Sequence, residues 1–184
     1  METIEMIPRE GVWMTTNTGK HFYPFDPREE EIDILDIAHH LAHICRYTGA
    51  CDQHYSVAQH SVHVSKLVLP QYALWGLLHD ASEAYTNDMS RPVKSGFKEF
   101  KDFENRIMQV ICKKFGLSWP MPDDVHHVDH HIVHDEAKRL FRQAPEWINQ
   151  FRSFDLHITP WPAAVAKNKF LDRFYELTRP QEAA

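Results

Sequence analysis

Apolar residues recur at three- and four-residue steps through most of this chain, the spacing that gathers them on one face of an α-helix. Ile34, Ile37, Ala38, Leu41 and Cys45 predict a first helix from near Asp33, with Gly49 as its stop. Ser56 is an N-cap for a second, whose inner face carries Val57, Val64, Leu67 and Val68 before Pro70 ends it. Leu74, Leu77, Leu78 and Ala81 predict a third from about Tyr72 to Tyr85. Beyond the turn-like stretch TNDMSRP, a fourth carries Phe100, Phe103, Ile107, Val110 and Ile111 and is closed by Gly116. A fifth spans roughly Asp123 to Arg142, with Val125, Val128, Ile132, Val133 and Leu140 inward. The last, about 163–178, carries Val165, Leu171, Phe174 and Leu177.

Two stretches break this rhythm. Residues 1–31 read as an irregular arm with hairpin potential, because TNTGKHFYPFDP mixes β-formers with Asn17, Gly19, Pro24 and Pro27. Residues 144–162 place Pro145, Pro160 and Pro162 among aromatic residues, which predicts a loop packed over the core. The chain shows no internal repeat and no low-complexity tract. The expected fold class is all-α: a compact single-domain helical bundle over 32–178, with the arm before it and a short tail at 179–184.

Bulk composition narrows the function. With 184 residues and 43% hydrophobic content there is material for one core, so one site is sought. A net charge of -6 argues against nucleic-acid binding, which needs a concentrated basic surface, while a small anionic ligand needs only a few placed cations. No apolar run is long enough to span a membrane, and METIEMIPRE has neither a basic start nor an apolar core, so a cytoplasmic protein without a membrane partner is expected. Cys45, Cys51 and Cys112 form no CxxC pair and are read as reduced thiols. Fourteen histidines are the one compositional feature that points to chemistry.

The informative residues are polar groups at inward positions, since burying them costs several kcal/mol unless something compensates. His60 lies on the stripe between Val57 and Val64, where the alternative is an ordinary hydrogen-bonded core histidine. His79 and Asp80 follow the apolar run ALWGLL, and Glu83 lies one turn beyond His79; a surface cluster is the alternative there. Asp129 stands within the apolar arc of the fifth helix with no Lys or Arg three or four residues away, so it needs an ion or a cation from another helix. Asp135 is expected to point away from that arc toward Lys138 and Arg139, and Glu136 to lie inward with Arg139 helping to neutralise it. Two imidazoles and two carboxylates from three helices form a mixed N/O set suited to Mn²⁺, Fe²⁺, Co²⁺, Ni²⁺ or Zn²⁺ rather than Ca²⁺.

His60, then His79-Asp80, then Asp129 resembles the H…HD…D signature of the HD-domain phosphohydrolase superfamily. The segments DIAHHLAHICRYTG, HYSVAQHSVHVS, LLHDASEAYTNDMSRPVK and VDHHIVHDEAKRLF are similar, in order and spacing, to its bacterial and phage branch of 5′-deoxynucleotidases and deoxyadenosine-triphosphate triphosphohydrolases. The likeness runs from about residue 15 to 142 and more weakly to 178. It implies the HD-domain fold, a divalent metal (Mg²⁺ included) on His60, His79, Asp80 and Asp129, and homo-oligomers. It also implies that Glu83 and Asp88 handle protons, that Arg46 and Lys94 bind phosphate, and that Tyr47 packs on base or sugar. The implied substrates are deoxynucleoside monophosphates or triphosphates. A catalytically silent nucleotide sensor and a two-metal oxygenase or cyclic-nucleotide phosphodiesterase of the same superfamily are the rival readings. His130, His131 and His134 depart from the branch's pattern and are read as surface and core residues.

Overall fold

The computed structural model describes residues 11–179. Its regular structure is a two-stranded hairpin, β1 (Met14–Thr15) and β2 (His21–Phe22), followed by helices. The hairpin turns through Gly19, whose φ of +84° is the left-handed conformation glycine adopts without strain. This part of the arm is docked on the domain. Thr18 donates its backbone N–H and its hydroxyl to the buried Asp36 carboxylate at 2.6 and 2.8 Å, and Phe22 stacks on Tyr85 with ring centroids 4.0 Å apart.

The first helix, α1 (Ile34–His43), starts where Asp33 accepts a hydrogen bond from the Leu35 N–H, a side-chain cap for an otherwise orphan donor. It stops six residues short of Gly49. Cys45 instead bridges Ser56 in extended backbone, and a 3₁₀ turn over Arg46–Gly49 follows, with Tyr47 and Thr48 at positive φ. The sequence rhythm carries no signal for that bridge, because its partner lies eleven residues on.

At the centre is α2 (Val57–Leu67), capped by Ser56 and packed against α1 and against the elements that follow. It is buried around most of its circumference, so its polar residues are interior too. Gln59, for instance, donates to Thr159 O at 2.9 Å and accepts from the Trp161 N–H at 2.8 Å, tying the 144–162 loop to the core.

The predicted third helix is two pieces, α3 (Ala73–Leu78) and α4 (Glu83–Thr86). Between them the chain tightens to i→i−3 bonds, Ala81 N to Leu78 O and Glu83 N to Asp80 O, each at 2.9 Å. α3 lies unusually close to α2. A Cβ on Gly76 would sit 3.0 Å from Ser65 Cα, so glycine is what permits the approach.

A single helical turn, α5 (Arg91–Lys94), occupies part of the predicted turn region. Then α6 (Lys98–Phe115) ends at Gly116 in the left-handed conformation, as its sequence predicts. α7 (Asp123–Leu140) packs on α2, and α8 (Ala163–Thr178) closes the bundle against α1, α2 and α3. The buried face of α8 is Ala166, Phe170 and Phe174, with the expected Leu171 and Leu177 partly buried against the core, while the expected Val165 is exposed. Among the described residues no helix is long and apolar enough to cross a membrane. The architecture is an all-α single domain with a minimal hairpin.

Candidate metal centre

Three elements converge on one point: α2 brings His60, the tight turn after α3 brings His79 and Asp80, and α7 brings Asp129. His60 Nε2 lies 3.2 Å from His79 Nε2, 3.1 Å from Asp129 Oδ1 and 3.6 Å from Asp80 Oδ2. His79 Nε2 is 3.2 Å from Asp80 Oδ2 and 3.5 Å from Asp129 Oδ1. Adjacent residues on a regular helix diverge by about 100°. The i→i−3 tightening is what lets both members of the His79-Asp80 pair reach the same point.

The outer nitrogens fix the chemistry of the inner ones. His79 Nδ1 is 2.9 Å from the carbonyl of Gly76, which can only accept, so Nδ1 carries the proton. His60 Nδ1 is 2.7 Å from Glu136 Oε1, a carboxylate that burial opposes and that Arg46 and His60 hold down at about 2, so it also donates. In the neutral imidazoles both Nε2 atoms therefore present lone pairs, beside two carboxylate oxygens. Four acceptors, all within 4.8 Å of one another, face a space that only a proton or a cation can reconcile, and this His/Asp group could hold a metal ion.

The acid-base balance agrees. Burial opposes charge on His79, but Asp80 and Asp129 outweigh it and lift its pKa well above the usual value. Burial likewise opposes ionisation of Asp129, and the two imidazoles hold its carboxyl well below the usual range. The histidines are sealed in, whereas the Asp80 and Asp129 side chains are 20% and 22% exposed, so the group opens on its carboxylate side.

Glu136 was expected to be neutralised by Arg139. Instead Arg139 donates to Ile158 O, and the fully buried Glu136 collects Arg46 Nη2 at 3.2 Å, Tyr47 Oη at 2.6 Å, Tyr55 Oη at 2.9 Å and His60. This is the residue that sequence reasoning undervalued. Its signal was an inward place two turns beyond Asp129, which shows the position but not the partners. Asp135, expected to face away toward Lys138 and Arg139, is also buried. It accepts from the Ser153 hydroxyl at 2.5 Å and the Phe154 N–H at 2.8 Å, anchoring the following loop.

No protein-family model matches the chain. The uncharacterized protein YfdR of Escherichia coli strain K12 is 34% identical to it over 178 residues, which covers 94% of this chain and 99% of that protein. The chain belongs to the YfdR family. A second relative, the uncharacterized protein RCAP_rcc00048 of Rhodobacter capsulatus, is 34% identical over 120 residues, 60% of this chain and 61% of its own length.

In this member of the YfdR family the other predicted residues surround the group unevenly. Arg46 has Nη1 3.6 Å from Asp80 Oδ2, and its Nε is buried with no hydrogen-bond partner. Glu83 is buried, with Oε2 unpartnered and Oε1 3.7 Å from Lys94 Nζ; burial first, then Asp80 and Asp88, push its pKa well up. Asp88 is raised by burial against the pull of Arg46. Lys94 is shared with Glu104 at 3.0 Å. Tyr47 sits apart, with its hydroxyl on Glu136 and its ring edge-on to Phe141.

The histidines of α7 are tied into its flank. His131 Nδ1 accepts from the Arg152 N–H at 2.8 Å, His134 Nδ1 donates to Ile148 O at 3.0 Å, and Arg91 donates to His130 at 3.2 Å. Among the described residues none of them joins a metal-donor group. The three cysteines are free thiols, and burial pushes Cys51 up to about 12, out of reach of thiolate chemistry near neutral pH.

Proposed function

We propose that this protein is a metal-dependent phosphohydrolase of 2′-deoxynucleotides, of the HD-domain type. The observation that carries the reading is the convergence of four acceptor atoms on one point, with an unpartnered carboxylate oxygen on Glu83 and a spare guanidinium N–H on Arg46 beside it. The donor set of two imidazoles and two carboxylates fits Mn²⁺, Fe²⁺, Co²⁺, Ni²⁺, Zn²⁺ or Mg²⁺. A bound divalent ion supplies Lewis acidity toward phosphate oxygens and toward water.

The chain's own groups do the rest. Arg46 grips phosphate oxygens through its planar fork, and Lys94 adds a point charge against the growing negative charge. Glu83 Oε2 takes a proton from the attacking water as its oxygen bonds to phosphorus. The bond from phosphorus to the leaving oxygen breaks, and Asp88 protonates that oxygen; the same chemistry runs with the two carboxyl groups exchanging these roles. The products are a deoxynucleoside with phosphate, or with triphosphate if a triphosphate is the substrate. The same reading makes the enzyme a cytoplasmic homo-oligomer.

The test is an end-point screen of the common ribo- and deoxynucleotides with Mn²⁺, Co²⁺, Ni²⁺, Zn²⁺ and Mg²⁺, resolving phosphate from triphosphate. Release from deoxynucleotides with at least one metal is expected. No release with any combination rejects the proposal.

A further inference from the structure

A cavity of about 130 Å³ borders the candidate centre, and its lining joins His79, Asp80 and Glu83 to Trp75, Met108 and Trp119. Trp75 is 4% exposed, and its indole N–H donates to Ser118 O at 2.9 Å, so its ring is fixed. Trp119 leans on it at 6.4 Å between centroids and is 42% exposed. Folding thus places a partly exposed indole beside the proposed reaction centre, in contact with a second indole that is fixed. Asn105 lines the same cavity and brings a side-chain amide to its wall. In the charged part of the wall Lys94 is held by Glu104 at 3.0 Å.

Tyr47, the aromatic residue that the family resemblance offers for the base or sugar, is engaged elsewhere. Its hydroxyl is bound to Glu136 at 2.6 Å, and its ring packs against Phe141 at 5.1 Å between centroids. We propose that the nucleobase of the substrate is instead received in the Trp119 cavity. There a planar heteroaromatic ring stacks on Trp119, Trp75 supports that indole from behind, and the ring's polar edge meets the Asn105 amide. This inference rests on the phosphohydrolase reading for the identity of the ligand and adds which part of it goes where.

The experiment compares kcat/KM for the best deoxynucleotide of the screen with kcat/KM for 2-deoxyribose 5-phosphate, which has no base, in wild type, W119A and N105A. Loss of one base stack lowers that ratio about tenfold in W119A, mainly through KM. A smaller fall in the same direction is expected for N105A. The base-free substrate reports any general loss of fold in W119A, because such a loss lowers both reactions and leaves their ratio unchanged. An unchanged ratio in both variants overturns the proposal.

If neither compound is hydrolysed, the phosphohydrolase reading fails by itself, and tryptophan fluorescence decides the cavity. A saturable quench by 2′-deoxyadenosine or thymidine that is lost in W119A but kept in W147A supports it. A flat titration with both nucleosides overturns it.

Discussion

The imidazole of His60 donates through Nδ1 to Glu136 Oε1 at 2.7 Å, with both side chains fully buried. That bond fixes the tautomer that turns the Nε2 lone pair toward His79, Asp80 and Asp129. E136Q keeps the shape but weakens the acceptor and should lower divalent-metal affinity about 10–100-fold in a competition titration. E136A leaves Arg46 and two tyrosine hydroxyls without their acceptor and should cost about 3–5 kcal/mol in urea unfolding. Wild-type metal affinity in E136Q would remove Glu136 from the support of the centre.

H79A and D80A should lose bound metal and phosphate release together. Metal analysis of the purified wild type should give about one ion per chain, and a chelator should remove it. Adding metal at a hundred times its Kd should stabilise the wild type by about 2.7 kcal/mol and leave the two variants unmoved. Retained turnover in a metal-free variant is the outcome that defeats the scheme.

Gly76 links packing to the site. Its absent side chain lets α3 approach α2, and its carbonyl accepts from His79 Nδ1 at 2.9 Å. A Cβ there would meet the backbone of Ser65, which cannot swing aside. G76A should therefore destabilise the fold by about 1–3 kcal/mol and also weaken metal binding, because α2 carries His60 and α3 leads into His79. A stability loss with unchanged metal affinity would uncouple the two.

His63 gives a pH signature away from the donor group. Burial, opposed by Glu136 and reinforced by His60 and Lys66, lowers its pKa to about 4, and its Nε2 sits 3.3 Å from the Gln59 amide nitrogen as a neutral ring's acceptor would. Between its folded value and the unfolded value of about 6.5, the unfolded chain binds the extra proton. Its contribution is thus intact above about pH 6.5 and is lost as pH falls toward 4, by at most about 3 kcal/mol. Urea midpoints of wild type minus H63Q should fall over that window. Parallel curves would show that His63 does not resist protonation.

The sequence alone determined where most of the helices lie, because their evidence is local: a cap at Ser56, a stop at Gly116 and apolar residues stepping along one face. It also marked His60 and Asp129, since a polar group on an apolar stripe is visible in one dimension. Only the tertiary structure decided which groups meet. Glu136 took Arg46, Tyr47, Tyr55 and His60 rather than the nearby Arg139, and Asp135 turned inward to hold the 153–154 loop. The tightened turn at His79-Asp80 and the Trp75–Trp119 pair belong to the same class. A buried charge selects its partner by distance in space and by the cost of leaving the alternatives unsatisfied, and neither quantity is written in residue spacing.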